Sequence, residues 1–360
     1  MHRHVVKAEA TTWSDTMKRI FFVAAMAIFT CNPAKAEWWV GLQTSGQTTP
    51  TNAISIYDSE ASGNTSPTRT VGGDVSSLRS IADFTRDDQN DQMVVADFRG
   101  NQIVRFDLAS QGNAAPLLRF THAGMQQPRR IIAIPGHHEY GILASTTLLY
   151  IGMDAVTGAP ITRAGNYTQS GLNNPFGLAY MPATDEVAVG DVETVDGSNA
   201  GEIRFFARTD DAALATTRRL FGSNTRLGIF VLGLRHDPVQ HELIALVRDN
   251  PVNGLFPGRI VVFTESDDGN IAPIREIAGD ATQLINVSSL GFDAATGDIS
   301  VGLGSQTVPL AVLIFNRNDQ GNAAPRKRLS GPLTGLNLPD AVGAISYVPA
   351  SNRLYRDGFE

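Results

Sequence analysis

Apolar residues in this chain gather into short runs, and many of the runs close on an aromatic. Ile54-Ser55-Ile56-Tyr57, Ile103-Val104-Arg105-Phe106, Ile260-Val261-Val262-Phe263 and Val312-Leu313-Ile314-Phe315 are four of them. Six residues after each aromatic stands the phrase Gly-Asn-x-x-Pro: Gly63 to Pro67, Gly112 to Pro116, Gly269 to Pro273 and Gly321 to Pro325. The glycines are 49, 157 and 52 residues apart, and 157 is close to three intervals of 52. Sixteen residues after the aromatic comes a second glycine in most copies, Gly73, Gly279 and Gly331. The same spacing uncovers Phe206 to Gly222, where Ala212-Ala213 stand in place of Gly-Asn, and a shortened copy runs from Leu149-Tyr150-Ile151 to Gly158-Ala159-Pro160. Six copies of one unit mark a repeat architecture.

Each unit divides into four short strands. In the second they are Leu78 to Phe84, Gln92 to Asp97, Gln102 to Asp107 and Leu117 to Thr121. Strong turn chemistry separates them, as in Asp87-Asp88-Gln89-Asn90-Asp91 and Arg99-Gly100-Asn101. Short apolar strands between Gly, Asn and Asp clusters read as a meander of antiparallel hairpins. Gly and Asn both tolerate the left-handed backbone a turn needs. Proline gives no donor to a ladder, so its place is the start of an edge strand. The first three strands are apolar at nearly every position, which suits sheets packed on both faces. No convincing helical period follows Glu37.

The units are out of phase with the chain ends. Trp38-Trp39-Val40-Gly41-Leu42 reads as a second strand, and Val342 to Tyr347 reads as a first strand. One blade is therefore completed from both termini, which closes a ring and removes open edges at the seam. The expected fold is all-β: a six-bladed β-propeller of four-stranded antiparallel blades over 37–360. Val94-Val95-Ala96-Asp97-Phe98-Arg99-Gly100-Asn101-Gln102-Ile103-Val104-Arg105-Phe106 resembles an NHL-type repeat. The Gly-Asn-x-x-Pro phrase is similar to that of secreted bacterial propellers related to NHL proteins. The resemblance implies six blades and mostly binding roles, with some enzymes among wider relatives.

Residues 1–36 read differently. Lys18-Arg19 precede an apolar run, Ile20 to Thr30, and then Ala34-Lys35-Ala36. A basic stretch, a short apolar stretch and a small-x-small site describe a secretory signal peptide, with Met17 placed like a true start. Export to the periplasm or the medium follows. The run is short for a bilayer span, which takes about 20 apolar residues. The single cysteine, Cys31, lies in this leader, behind a poor lipobox. Of 29 basic and 36 acidic residues the leader holds five and two, leaving 24 against 34, a net charge of −10. That balance disfavours nucleic acid and anionic membranes as partners, and no later run suggests membrane insertion.

In a propeller the loops joining second to third strands share one face with the blade-to-blade connections. Two such loops are long here, Gly190 to Glu202 and Val247 to Arg259. Asp191, Glu193, Asp196, Arg248, Asp249 and Asn250 on them are the expected ligand-binding face, because long loops on rigid scaffolds tend to carry function. Asp191, Glu193 and Asp196 also offer hard oxygens to calcium, although Asp-x-Glu-x-x-Asp is not EF-hand spacing. His137, His138 and Glu139, and His236, Asp237, His241 and Glu242, fall in first-to-second-strand turns. His236 and His241 suit zinc in type, but that turn is read as lying on the other face and near the rim.

Nucleophilic and phosphate-loop motifs are missing from the sequence: it has no Gly-x-Ser-x-Gly and no cysteine after the leader. Among the wider relatives, gluconolactonase-type hydrolases hold a divalent metal in the central channel through Glu, Asn and Asp. The first-strand starts here are Ser80, Arg130, Phe176, Val231, Ser288 and Val342, which is no carboxylate ring. The leading expectation is an exported non-catalytic binding propeller for a protein, glycan or small ligand, without a cofactor. The alternative is a metal-dependent hydrolase of lactonase type.

Overall fold

The structure is a computed structural model that describes residues 36–43, 53–156, 159–195, 198–305, 308–336 and 341–350. The leader before Ala36, Asp196 and the tail from 351 lie outside the described residues. Among the described residues twenty-four strands form six antiparallel sheets of four. Blade 1 is the seam, with Ala341–Val348 innermost, then Glu37–Gln43, Ala53–Asp58 and Arg69–Gly72. Trp38 lies opposite Tyr347, and their rings meet edge-on at 5.0 Å. The expected seam is therefore what closes the ring. From the innermost strand outward, blade 2 is Ile81–Asp87, Gln92–Asp97, Gln102–Asp107 and Leu118–Phe120. Blade 3 is Arg130–Ile134, Glu139–Leu143, Thr147–Gly152 and Arg163–Asn166, and blade 4 is Gly177–Met181, Glu186–Val195, Ser198–Ala207 and Thr216–Leu220. Blade 5 is Phe230–Asp237, Glu242–Arg248, Gly258–Thr264 and Arg275–Ile277, and blade 6 is Val287–Asp293, Asp298–Ser305, Val308–Asn316 and Lys327–Leu329. Neighbouring innermost strands touch all the way round. Helix is confined, among the described residues, to single turns, and none is long and apolar enough to cross a membrane.

The repeat residues do more than turn the chain. The run-closing aromatics Tyr57, Phe106, Phe206, Phe263 and Phe315 have no exposed surface, each burial contributing about 1.5–3 kcal/mol. The Gly-Asn phrase lies against the preceding blade's outermost strand. Gly112 N–H donates to Thr70 at 2.6 Å and its carbonyl accepts from Gly72 at 2.9 Å. The pattern recurs from Gly63 to Arg328 and Ser330, Gly269 to Arg219 and Phe221, and Gly321 to Glu276 and Ala278. The phrase thus covers an edge that a bare outer strand would leave exposed. The asparagine side chain then caps the next turn of that same preceding blade. Asn64, Asn113, Asn270 and Asn322 accept from the backbone N–H of Leu333, Val75, Asn224 and Ala281 at 2.7–2.9 Å.

This explains the second glycine of the repeat. Gly73, Gly222, Gly279 and Gly331 have φ between +103° and +125°. A Cβ on any of them would stand 2.5–2.6 Å from an atom of the latching asparagine's side chain. In the degraded copy Ala212 keeps the left-handed φ of +63° and the same backbone latch, to Ala164 and Asn166.

A second repeated device was not read from the sequence. The second strand opens on an acid that pairs with an arginine on the outermost strand: Glu37 with Arg69, Glu139 with Arg163, Glu186 with Arg218, and Glu242 with Arg275. In blade 2 both members are gone together, Gln92 and Leu118 standing in their places.

Candidate functional site

The two long connections rise on one face from adjacent blades, but they are not open loops. The segment from Gly190 to Glu202 is an extension of the blade 4 hairpin, pairing Asp191 with Glu202, Val192 with Gly201 and Glu193 with Ala200. Apolar Val192 and small Ala200 and Gly201 let the ladder continue where a loop was expected. After Arg248 the chain makes a small hairpin of its own. Val252 bridges Leu255 around Asn253 and Gly254, both at positive φ as a type I′ turn requires.

Between the two hairpins lies a cleft of about 590 Å³. Glu193, Ala200 and Gly201 form one wall, Asp249 and Arg259 the other, and the turn from Phe221 to Gly228 forms the floor. The hairpin crosses so close over this turn that a Cβ at Gly201 would sit 2.2 Å from the Leu227 carbonyl oxygen. Glu193 pairs with Arg219, which also reaches buried Glu202. Asp249 pairs with Arg259, whose other nitrogen meets Glu276 at 2.8 Å. Phe221 stays 41% exposed under the Arg219 guanidinium, 4.2 Å from its ring. The cleft is thus charge-balanced, with one exposed aromatic at its edge.

The expected face residues separate into distinct roles. Glu193 and Asp249 line the same cleft. Asp191 does not present itself to solvent: it is wholly buried, and its carboxylate accepts from Asn173 and Asn174 N–H at 2.8 and 2.7 Å. Burial raises its pKa, against these backbone hydrogen bonds. Asp97 does the same work in blade 2, accepting from Ser80 N–H at 2.8 Å. Arg248 turns inward to the Val287 carbonyl at 2.6 Å, and its pKa is lowered by burial. Asn250 is exposed. The cleft residues Arg219, Phe221, Arg226 and Arg259 escaped the sequence reading. Their one available signal was sequence proximity to the two hairpins in the fourth and fifth blades.

The opposite face holds both histidine groups. His236 and His241 meet the two oxygens of Glu265 at 3.0 and 3.3 Å. His236 lies at the mouth of the central channel, not at the rim. His138 meets Asp154 at 2.7 Å, and Glu139 is held by Arg163 and Arg208. Among the described residues no three His, Cys, Asp or Glu side chains gather where one metal ion would fit.

The channel itself is bridged by side chains that serve the free edges of innermost strands. Asp83 accepts from Ile131 N–H at 3.2 Å and from Arg235 at 2.8 Å. Arg130 donates to the carbonyls of Ala82, Arg129 and Leu232 at 3.1, 2.7 and 2.7 Å. Ser288 Oγ donates to Val342 O at 2.9 Å. Burial lowers the Arg130 pKa; Asp83 opposes this, and Arg235 and Arg129 add to it. The lactonase alternative finds no support in this arrangement, where arginines outnumber the carboxylate.

The fold is that of a six-bladed β-propeller. A chain in the crystal structure of a nidogen/laminin complex is similar, with TM-score 0.59 and 12% identity over 88% of this chain and 99% of that one. A Kuenenia stuttgartiensis hydrazine synthase chain reaches TM-score 0.48 at 10% identity, over 74% and 71%. The β-propeller domain of Myceliophteria thermophila Cps50 (Swd1) reaches 0.48 at 13%, over 78% and 81%. No protein-family model and no curated protein matches the chain.

Proposed function

We propose that the protein is an exported bacterial propeller of the NHL-like kind that binds a protein partner without catalysis, through the cleft between blades 4 and 5. The cleft itself carries the reading. Two hairpins are lengthened beyond their counterparts in blades 2 and 3, on adjacent blades and on one face, and they leave Phe221 exposed between fixed ion pairs. An aromatic anchor ringed by charged pairs is the anatomy of a protein-binding hot spot. The structurally similar chain in the nidogen/laminin complex also belongs to a protein assembly, though that likeness carries the fold alone.

The test uses the secreted protein as bait for proteins of its own compartment. A partner retained by wild type should be lost on Phe221→Ala and on Glu193→Lys. Equal retention by both variants would remove the cleft from the reading. A lactone and ester hydrolysis screen of the same material should show no turnover above buffer.

A further inference from the structure

We infer that the central channel, at its mouth on the face opposite the cleft, binds a small organic acid: a single carboxylate on a short apolar body, held by Arg235. The inference does not rest on the partner proposed above, which occupies the other face.

The mouth is an open cavity of about 420 Å³ lined by residues of blades 2 to 5. The apolar surface its walls offer comes from Ile132 and Ala133 on the innermost strand of blade 3 and from Pro135, Pro182 and Pro238 in the turns. The polar groups on those walls are already committed. Tyr180 donates to Asp185 at 2.9 Å, and His236 is bonded to Glu265 at 3.0 Å. The carboxylates around the mouth are committed too: Asp185 to Arg208, Glu265 to its two histidines, and Asp237 to Arg317 at 2.9 Å.

The lining cation is Arg235. Its protein acceptors are Leu234 O at 2.9 Å and Asp83 Oδ1 at 2.8 Å. A guanidinium carries more N–H donors than these two acceptors use. Asp83 is shared: it pairs with Arg235 and also answers the charge of Arg130, whose field Arg235 adds to. Arg130 is buried, and its bonds go to neutral carbonyls. Desolvated positive charge in excess of its counter-charge is costly. An anion entering from the mouth offsets that cost and forms a charge-assisted pair with Arg235. The apolar walls then select what the carboxylate is attached to.

Hexanoate and its neutral isostere hexanamide separate charge recognition from simple cavity filling. Titration calorimetry on the secreted protein should show saturable hexanoate binding and none for hexanamide. Arg235→Gln should weaken hexanoate binding at least about tenfold. Ala133→Phe, which places a ring in the cavity without touching its charges, should abolish it. Absence of hexanoate binding, or equal binding of the amide, overturns the inference, as does wild-type affinity in Arg235→Gln. If Arg235→Gln fails to fold, Ala133→Phe decides: undiminished hexanoate binding there places the ligand elsewhere and overturns the site.

Discussion

The outer rim and the axis of this ring are built on opposite principles. At the rim one solution is repeated: a glycine against the neighbouring blade's edge, an asparagine capping its turn, an acid–arginine pair across the sheet. At the axis each residue is used once. Asp83, Arg130, Arg235 and Ser288 serve the same need, the free edges of innermost strands, with four different geometries. Each rim copy fastens the edge of a different blade, whereas each axial residue is met once. Stability should therefore respond most to the rim's backbone geometry, and binding to the residues used once.

The sharpest test of the rim compares two of its glycines. Gly331 has φ +125° and ψ 169°, a region open essentially to glycine alone, and a Cβ there would meet Asn64 Oδ1 at 2.5 Å. Gly331→Ala should cost about 3 kcal/mol or more in urea unfolding. Gly63 has φ +66° with nothing within 4 Å of its Cβ position. Gly63→Ala should cost about 1 kcal/mol, and Ala212 shows that the same latch forms without glycine. Equal losses in the two variants would mean that neither the backbone region of Gly331 nor its contact with Asn64 adds to the cost.

Asp191 breaks the comparison from the other side, since it sits under the binding face but does structural work. Asp191→Ala leaves the N–H groups of Asn173 and Asn174 without their acceptor, and should cost about 2–3 kcal/mol. Asp191→Asn keeps an acceptor oxygen and should recover much of that loss. Unchanged stability in Asp191→Ala, with weakened partner binding, would return this residue to the ligand face.

What was legible in the sequence follows the same division. The blade count, the seam and the strand order could be read because Phe106, Phe263 and Phe315 recur at one spacing with their glycines. The latch could not, since the residue that Asn113 caps, Val75, is 38 positions away in another blade. Gly190 to Glu202 was misread as a loop because its Asp and Glu carry a polar signature. One of them, Asp191, is in fact a backbone cap, and the other two described acids, Glu193 and Glu202, are paired by Arg219 from the outermost strand, with Arg204 of its own strand also on Glu202. Single-use axial residues such as Arg235 have no periodic signal at all.

Acid should act on the rim's ion pairs. Burial raises the pKa of Glu139, but the Arg163 hydrogen bond and the charges of Arg163 and Arg208 outweigh it, so the net shift is downward. A carboxylate with a depressed folded pKa contributes stability above its unfolded value, about 4.3. That contribution is lost as pH falls below this value through the folded pKa. Glu139→Gln should therefore flatten the acid limb of the stability curve below about pH 4.3. An acid limb identical to wild type would mean that the pair stabilises neither protonation state.

The smallest expected change in stability belongs to the residue with the largest proposed role. Phe221 is 41% exposed, and its described ring contact is the Arg219 guanidinium. Losing an exposed cation–π contact costs about 0.5–1 kcal/mol, so Phe221→Ala should unfold nearly as wild type. Arg219 keeps its two glutamates, and the cleft walls keep their positions. An exposed aromatic at a site where the fold gains so little from it suits the partner contact proposed for it. Phe221→Leu separates the two contributions: it preserves apolar area and removes the ring. If leucine restores partner binding, the cleft reads apolar surface. If it does not, the ring's stacking with Arg219 is part of the recognised shape.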